Sequence, residues 1–296
     1  GGVIVAYVGW QWIFFINVPI GVVSLVLVAR WVPVLPRASR SIDALSVVAS
    51  VISVFAFVFT LQEGPHLGWP LFAWFVWLQY TAARRGTEPL VPLVMFRNRN
   101  FALGSFSISA MGFVVGGTMV PIMLFLQDVQ GMNAQQAAFM LIPMAVISGT
   151  LAPFVGRLAD RIHPRVLSMI GFGFMTAAAL ALAAIMRDGV GRWWMLLPAV
   201  LLGFGNGFVW SPNSATSMRD LPIQSLGAAS GVYNTTRQIG SVLGSAAIGG
   251  VMQMGVANSG YANSMGNSMV LCVIVLIFGL IAVSRFTERT DTAAAD

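Results

Sequence analysis

Apolar residues along this chain fall in long runs separated by short polar turns, without the strict alternation of half-buried strands. A helix needs about 20 apolar residues to cross a bilayer. Nine runs approach that length: 13–32, 43–62, 69–83, 101–127, 137–155, 166–186, 193–213, 225–253 and 267–285. The third is the poorest and is short for a bilayer. The pattern predicts an all-α integral membrane protein with about nine transmembrane helices.

The turns carry the orientation. All 16 basic residues are arginine. Numbering the turns alternately puts Arg30, Arg37, Arg40, Arg84, Arg85 and Arg97 on one side, with Arg99, Arg157, Arg161, Arg165, Arg219, Arg285 and Arg289. The other side holds only Arg187 and Arg192. The positive-inside rule makes the first side cytoplasmic, so the first residues are expected outside and the C-terminus inside. Trp10, Trp12, Trp69, Trp193 and Trp194 then fall at the outer interface, where amphipathic rings are favoured.

Composition agrees. The 296 residues are 57% hydrophobic and 9% charged, with mean hydropathy +0.82, whereas soluble domains are about 25% charged. Without lysine the chain has neither a P-loop lysine nor a Schiff-base amine, so ATP hydrolysis within these residues is excluded as a driving force. The net charge of +6 reads as topology rather than nucleic-acid binding. Cys272 sits in an apolar run and reads as a small packed side chain. His66 and His163 are far apart, and no metal site is assigned.

Polar residues inside the runs carry the candidate chemistry. In the eighth run Gly227, Ser230, Asn234, Arg237, Gln238, Ser241 and Ser245 recur at three- and four-residue steps, which makes one polar helix face. An arginine at mid-membrane costs at least about 2.5 kcal/mol and must face protein or water. Arg237 reads either as a cavity or gate residue or as a structural arginine bonded to helix-end carbonyls. No acid lies in the middle of a run, and Asp128, at the outer end of its own, is the one candidate titratable group near a cavity. A proton-coupled carrier would need a titratable group in a gated cavity, and its main proton site would then be expected outside this chain. G-x-x-x-G spacings at Gly112–Gly116, Gly203–Gly207, Gly227–Gly231 and Gly240–Gly244 predict close helix contacts. Pro121, Pro143, Pro153, Pro198 and Pro212 lie in or near spans.

Several stretches together resemble one family. Residues 9–21, with Trp10, Trp12, Asn17, Pro19 and Gly21, are similar to the start of the sixth helix in the fourteen-helix drug:proton antiporter branch of the major facilitator superfamily. Gln11 stands where that family usually has arginine. Gly1 and Gly2 resemble the last glycines of its antiporter motif. The stretch 125–131, with Gln127, Asp128 and Gly131, resembles the external end of the ninth helix, followed by Pro143. Gly156, Arg157, Asp160, Arg161, Pro164 and Arg165 resemble the cytoplasmic-loop motif, with His163 in place of glycine. Asn234, Thr235, Arg237, Gln238 and Gly240 resemble the penultimate-helix signature.

The resemblance implies a major facilitator type bundle whose first five helices are missing. Residues 1–40 would end the N-terminal half, 41–100 would hold two extra linker helices and a cytoplasmic loop, and 101–286 would form the C-terminal six-helix half. Residues 287–296 would be a disordered cytoplasmic tail. It implies export of lipophilic or cationic small molecules across the bacterial inner membrane by alternating access. The proton gradient would drive it, with no cofactor, nucleic acid or catalysis. Arg237, Asn234, Gln238, Ser241, Asn206, Gln127 and Asp128 are the expected cavity or gate residues. Gly156, Asp160, Arg161 and Arg165 would form a cytoplasmic gate, unless that loop is positive only for topology. The missing half would be needed to complete the cavity, and the 296 residues alone would not transport. A carrier of another metabolite and a non-transporting remnant remain as alternatives.

Overall fold

The computed structural model describes residues 11, 15, 17–31, 93–159 and 161–287. The predicted spans 43–62 and 69–83 lie outside them, as do Gly1, Gly2, Trp10, Trp12, Trp69, Asp160 and the tail from 288. The first span is described as helix α1, Asn17–Trp31.

The bundle begins with a 3-10 turn, Leu93–Arg97, and α2, Arg99–Leu124. Asn98 caps α2, its side-chain oxygen accepting the Phe101 amide at 3.0 Å. A π-turn, Phe125–Val129, prolongs it. Next come α3, Ala134–Met140, and α4, Ile142–Ala159. Asn133 and Gln136 close a capping box on α3. Helices α5, Pro164–Ile185, and α6, Leu196–Met218, follow. The last pair is α7, Leu226–Ser259, and α8, Tyr261–Ser284, joined at Gly260, whose φ of 81° suits glycine.

Among the described residues six helical segments are long and apolar enough to span a membrane, and each matches a predicted run. The predicted run 225–253 proves longer: α7 continues to Ser259. Pro143 and Pro198 occupy first turns, where the missing amide costs no helical bond. Pro121, Pro153 and Pro212 lie inside α2, α4 and α6.

Glycine sets the closest helix contact. A Cβ on Gly112 would overlap the Arg237 carbonyl, and one on Gly116 would overlap Ser241. In return, a Cβ on Gly240 would overlap the Ser109 carbonyl, and one on Gly244 that of Phe113. Two predicted G-x-x-x-G pairs therefore interlock, α2 against α7. Gly203 and Gly207 admit α4 through Ile147 and Leu151. Gly227 is different: with Gly231, it has nothing within 4 Å of where a Cβ would stand, so this pair makes no close packing contact among the described residues.

Elsewhere α5 packs on α6 and α8, and α8 also packs on α2 and α7. The core joins Ile108, Met111, Phe125, Phe172, Met175 and Leu182 with Met265 and Leu276, and Cys272 is fully buried within it.

Hydrogen bonds sort the loops to two ends. Asn100, 3% exposed, donates to the Asp220 carboxylate at 2.7 Å and to the Thr287 carbonyl at 3.1 Å. Its oxygen accepts the Thr287 amide and hydroxyl. At the other end Tyr261 donates to Asp128 at 2.9 Å, Gln130 to the Val190 carbonyl at 2.8 Å, and Asn263 to Asp188 at 3.3 Å. Among the described residues the first end carries Arg97, Arg99, Arg219 and Arg285, and the second Arg187 and Arg192.

An open polar face and a cavity between helices

Two helices of the bundle are poorly covered. Only 11% of the apolar stretch of α4 and 17% of that of α7 are buried, against 44–56% in the other four spanning segments. On α5, and on α8 beyond Asn267, the exposed residues are apolar, as lipid-facing residues are: Leu180, Ile274 and Phe278. On α7 the exposed face is polar. Gly227, Gly231, Asn234, Gln238 and Ser245 are exposed and Ser241 is half-buried. This is the stripe read from the sequence, and it adjoins the glycines that pack on α2, with Ser241 itself against Gly116. A polar face on a membrane helix needs protein or water over it.

Arg237 sits on the flank of that stripe, half-buried, about 17 Å along α7 from Leu226 at 1.5 Å per residue. Its guanidinium carbon lies 5.7 Å from the centre of the Trp210 ring on α6. That is within cation–π range, an attraction of about 1–2 kcal/mol at a partly desolvated site. The Trp210 indole N–H donates to the Asn206 side-chain oxygen at 3.1 Å, and the Asn206 amide donates to the Leu202 carbonyl at 2.9 Å. Arg237 makes no hydrogen bond or ion pair among the described residues.

Asn206 belongs equally to a cavity of about 360 Å³ between α2, α4, α5 and α6. Val115, Met119, Met144, Met175 and Leu202 supply apolar walls. Thr118, Ser148 and Asn206 are its polar groups. The exposed Val115, Met119, Ala145 and Gly149 put its mouth between α2 and α4.

Three faces of this site were legible in sequence: Arg237, Asn206 and the stripe of Asn234, Gln238 and Ser241. Trp210 was not singled out, although its i+4 spacing from Asn206 is the signal for their bond. The methionine wall was invisible, because its members come from three helices. A buried network also went unread. Ser107 donates to the Asn213 oxygen at 2.9 Å, and the Asn213 amide donates to the Tyr233 hydroxyl at 2.7 Å, tying α2, α6 and α7 together.

The structure places Gln127 and Asp128 elsewhere. Both lie in the π-turn at the far end of α2, Gln127 donating locally to the Met123 carbonyl at 3.4 Å and Asp128 accepting from Tyr261 of α8. The Gln130 amide there donates to the Phe125 carbonyl at 3.0 Å, and Gly131 follows with φ 65°, so the motif's glycine is explained by backbone geometry. In the loop motif, Arg157 and Arg161 are exposed and Arg165 half-buried, and a Cβ on Gly156 would meet nothing within 4 Å. His163 precedes α5 with φ −51°, a backbone that needs no glycine. Among the described residues no group of His, Cys, Asp or Glu could hold a metal.

A polytopic all-α membrane bundle with one polar face uncovered defines the class of this protein. The sequence model of the Major Facilitator Superfamily matches residues 1–245, and the chain belongs to that superfamily. It is 35% identical to an uncharacterized MFS-type transporter of Mycobacterium tuberculosis, over 100% of this chain and 57% of that protein. It is 30% identical to the tetracenomycin C resistance and export protein of Streptomyces glaucescens, over 85% of this chain and 49% of that one. It is 29% identical to the multidrug resistance protein Stp of M. tuberculosis, over 85% and 48%. The chain thus spans about half the length of these curated relatives.

Proposed function

We propose that this chain carries the C-terminal portion of a proton-coupled efflux transporter that exports lipophilic small molecules by alternating access. The observation that carries the proposal is the uncovered face of α7. A stripe of exposed Asn234, Gln238 and Ser245, with a half-buried arginine beside it, is covered by no other helix among the described residues. A second helical half laid over α4 and α7 would enclose it as a cavity. Relatives that bear the names of drug resistance and export proteins favour an exporter. In this reading residues 101–286 form one six-helix half, 41–100 hold two linker helices, 1–40 end the preceding half, and 287–296 are a cytoplasmic tail. The arginine-rich end faces the cytoplasm of a bacterial cell, and the cargo is lipophilic or cationic.

The test uses everted membrane vesicles from cells producing the full-length protein. Respiration builds a pH gradient, read by quenching of an acridine dye. Adding a panel of lipophilic drugs releases the quench in vesicles with the protein and not in controls. A panel that releases no protons, or uptake that persists on ATP with the gradient collapsed, overturns the reading.

A further inference from the structure

No charged residue lines the cavity, and Asn206 and then Trp210 connect it to the cation of Arg237. The cavity's volume, about 360 Å³, is within the range of small-molecule sites. Met119, Met144 and Met175 give it soft, adaptable walls suited to flat ring systems. Ser148 on that wall makes no hydrogen bond among the described residues. Through Asn206 the cavity joins the Trp210 indole, and through Trp210 the guanidinium of Arg237, which has no ion-pair partner among the described residues. No acid answers it: Asp128, Asp188 and Asp220, the acids among the described residues, all stand at helix ends. A lipophilic cation entering from this side meets a fixed like charge and, among the described residues, no carboxylate. An aromatic acid meets a methionine-rich wall and, past the Trp210 ring, a guanidinium whose planar fork matches a carboxylate or sulfonate.

We infer that this half of the cavity binds aromatic lipophiles bearing an acidic group, the rings against the methionine wall and the anion at Arg237. The inference deepens the efflux reading by naming a substrate class, and it rests on that reading only for the cavity's place on a transport path.

Two dyes isolate the charge. 8-Anilinonaphthalene-1-sulfonate and N-phenyl-1-naphthylamine share their ring system and differ by the sulfonate. Each is titrated, with ethidium as the cation, against the 296-residue chain in zwitterionic lipid nanodiscs, and binding is read by energy transfer from tryptophan with empty discs subtracted. The sulfonate is expected to bind about tenfold or more tightly than its neutral twin, the scale of a charge-assisted hydrogen bond. Arg237→Ala should bring the two together, Arg237→Lys should keep part of the difference, and Ser148→Trp should weaken both by filling the cavity. Equal binding of the twins by the unmodified chain overturns the inference, as it would if a facing carboxylate already neutralised Arg237. Tightest binding of ethidium, or indifference of both twins to Ser148→Trp, also overturns it. Binding needs no gradient, so absent transport leaves this result standing, and absent anion preference leaves the transport reading standing.

Discussion

The Arg237 guanidinium lies over the Trp210 ring at 5.7 Å, and the same indole hands its N–H to Asn206 on the neighbouring turn. One charge, one ring and one amide thus connect α7 to the cavity wall on α6. Exchanging Arg237 for alanine in the full-length protein should lower drug resistance at least about tenfold, the effect of losing one charged contact of about 1.4 kcal/mol. Its amount in the membrane should change little, since among the described residues the side chain makes no hydrogen bond and its one ring contact is with Trp210. Minimum inhibitory concentrations and immunoblots of membrane fractions decide this, and full resistance at equal abundance would remove Arg237 from the mechanism.

Glycines on α7 should divide into two classes. Gly244→Ala drives a methyl into the Phe113 carbonyl and should destabilise by about 1–3 kcal/mol, as overpacking does. Gly227→Ala meets open space and should be neutral or stabilising by up to about 1 kcal/mol, because alanine favours helix. Thermal unfolding in detergent should show the opposite signs.

Asn100 holds three chain segments at the arginine-rich end with every polar site filled. Asn100→Ala should cost about 1–3 kcal/mol, the desolvation cost of the partners it leaves. A faster amide exchange at Asp220 and Thr287 than in the parent would locate the loss.

The polar face of α7 should be wet. Cysteines at Asn234 and Gln238 should react with a membrane-impermeant maleimide in at least one transport state, whereas one at Ile274, exposed among apolar residues of α8, should stay unreactive. Native Cys272 is fully buried and gives no background. Equal reactivity at 234 and 274 would mean that both face the same solvent.

Orientation is open to reporter fusions. Fusions after Arg161 and after Trp193 should report opposite faces of the membrane, with the 161 side cytoplasmic. Trp193 and Trp194, 66% and 62% exposed, and Arg192 at 5.8 Å from the Trp193 ring, fit a helix end in the headgroup layer.

Much of this was readable from residue order alone. Bilayer crossings are local: length and apolarity in one run decide them, so the six runs from 101 onward reappear as helices. The polar stripe of α7 is local for the same reason, since 3.6-residue periodicity alone puts Asn234, Gln238 and Ser241 together. The arginine count sorted the turns into two sets, and Asn100 with Asp220 and Thr287 later drew three of them to one end. What pairs across the bundle was not local. Gly240–Gly244 and Gly227–Gly231 carry the same spacing on one helix, yet one pair is sealed by α2 and the other faces open space. Only packing decides which face of α7 meets a neighbour. Likewise Met119, Met144 and Met175 are unremarkable until α2, α4 and α5 bring them to one wall. A single strand of residues determines which segments enter lipid and which side of each is polar, because both depend on neighbours a few positions away. The fold determines which polar groups are hydrogen-bonded and which, like Arg237 among the described residues, meet only a ring, because partners such as Ser107 and Asn213 lie a hundred residues apart.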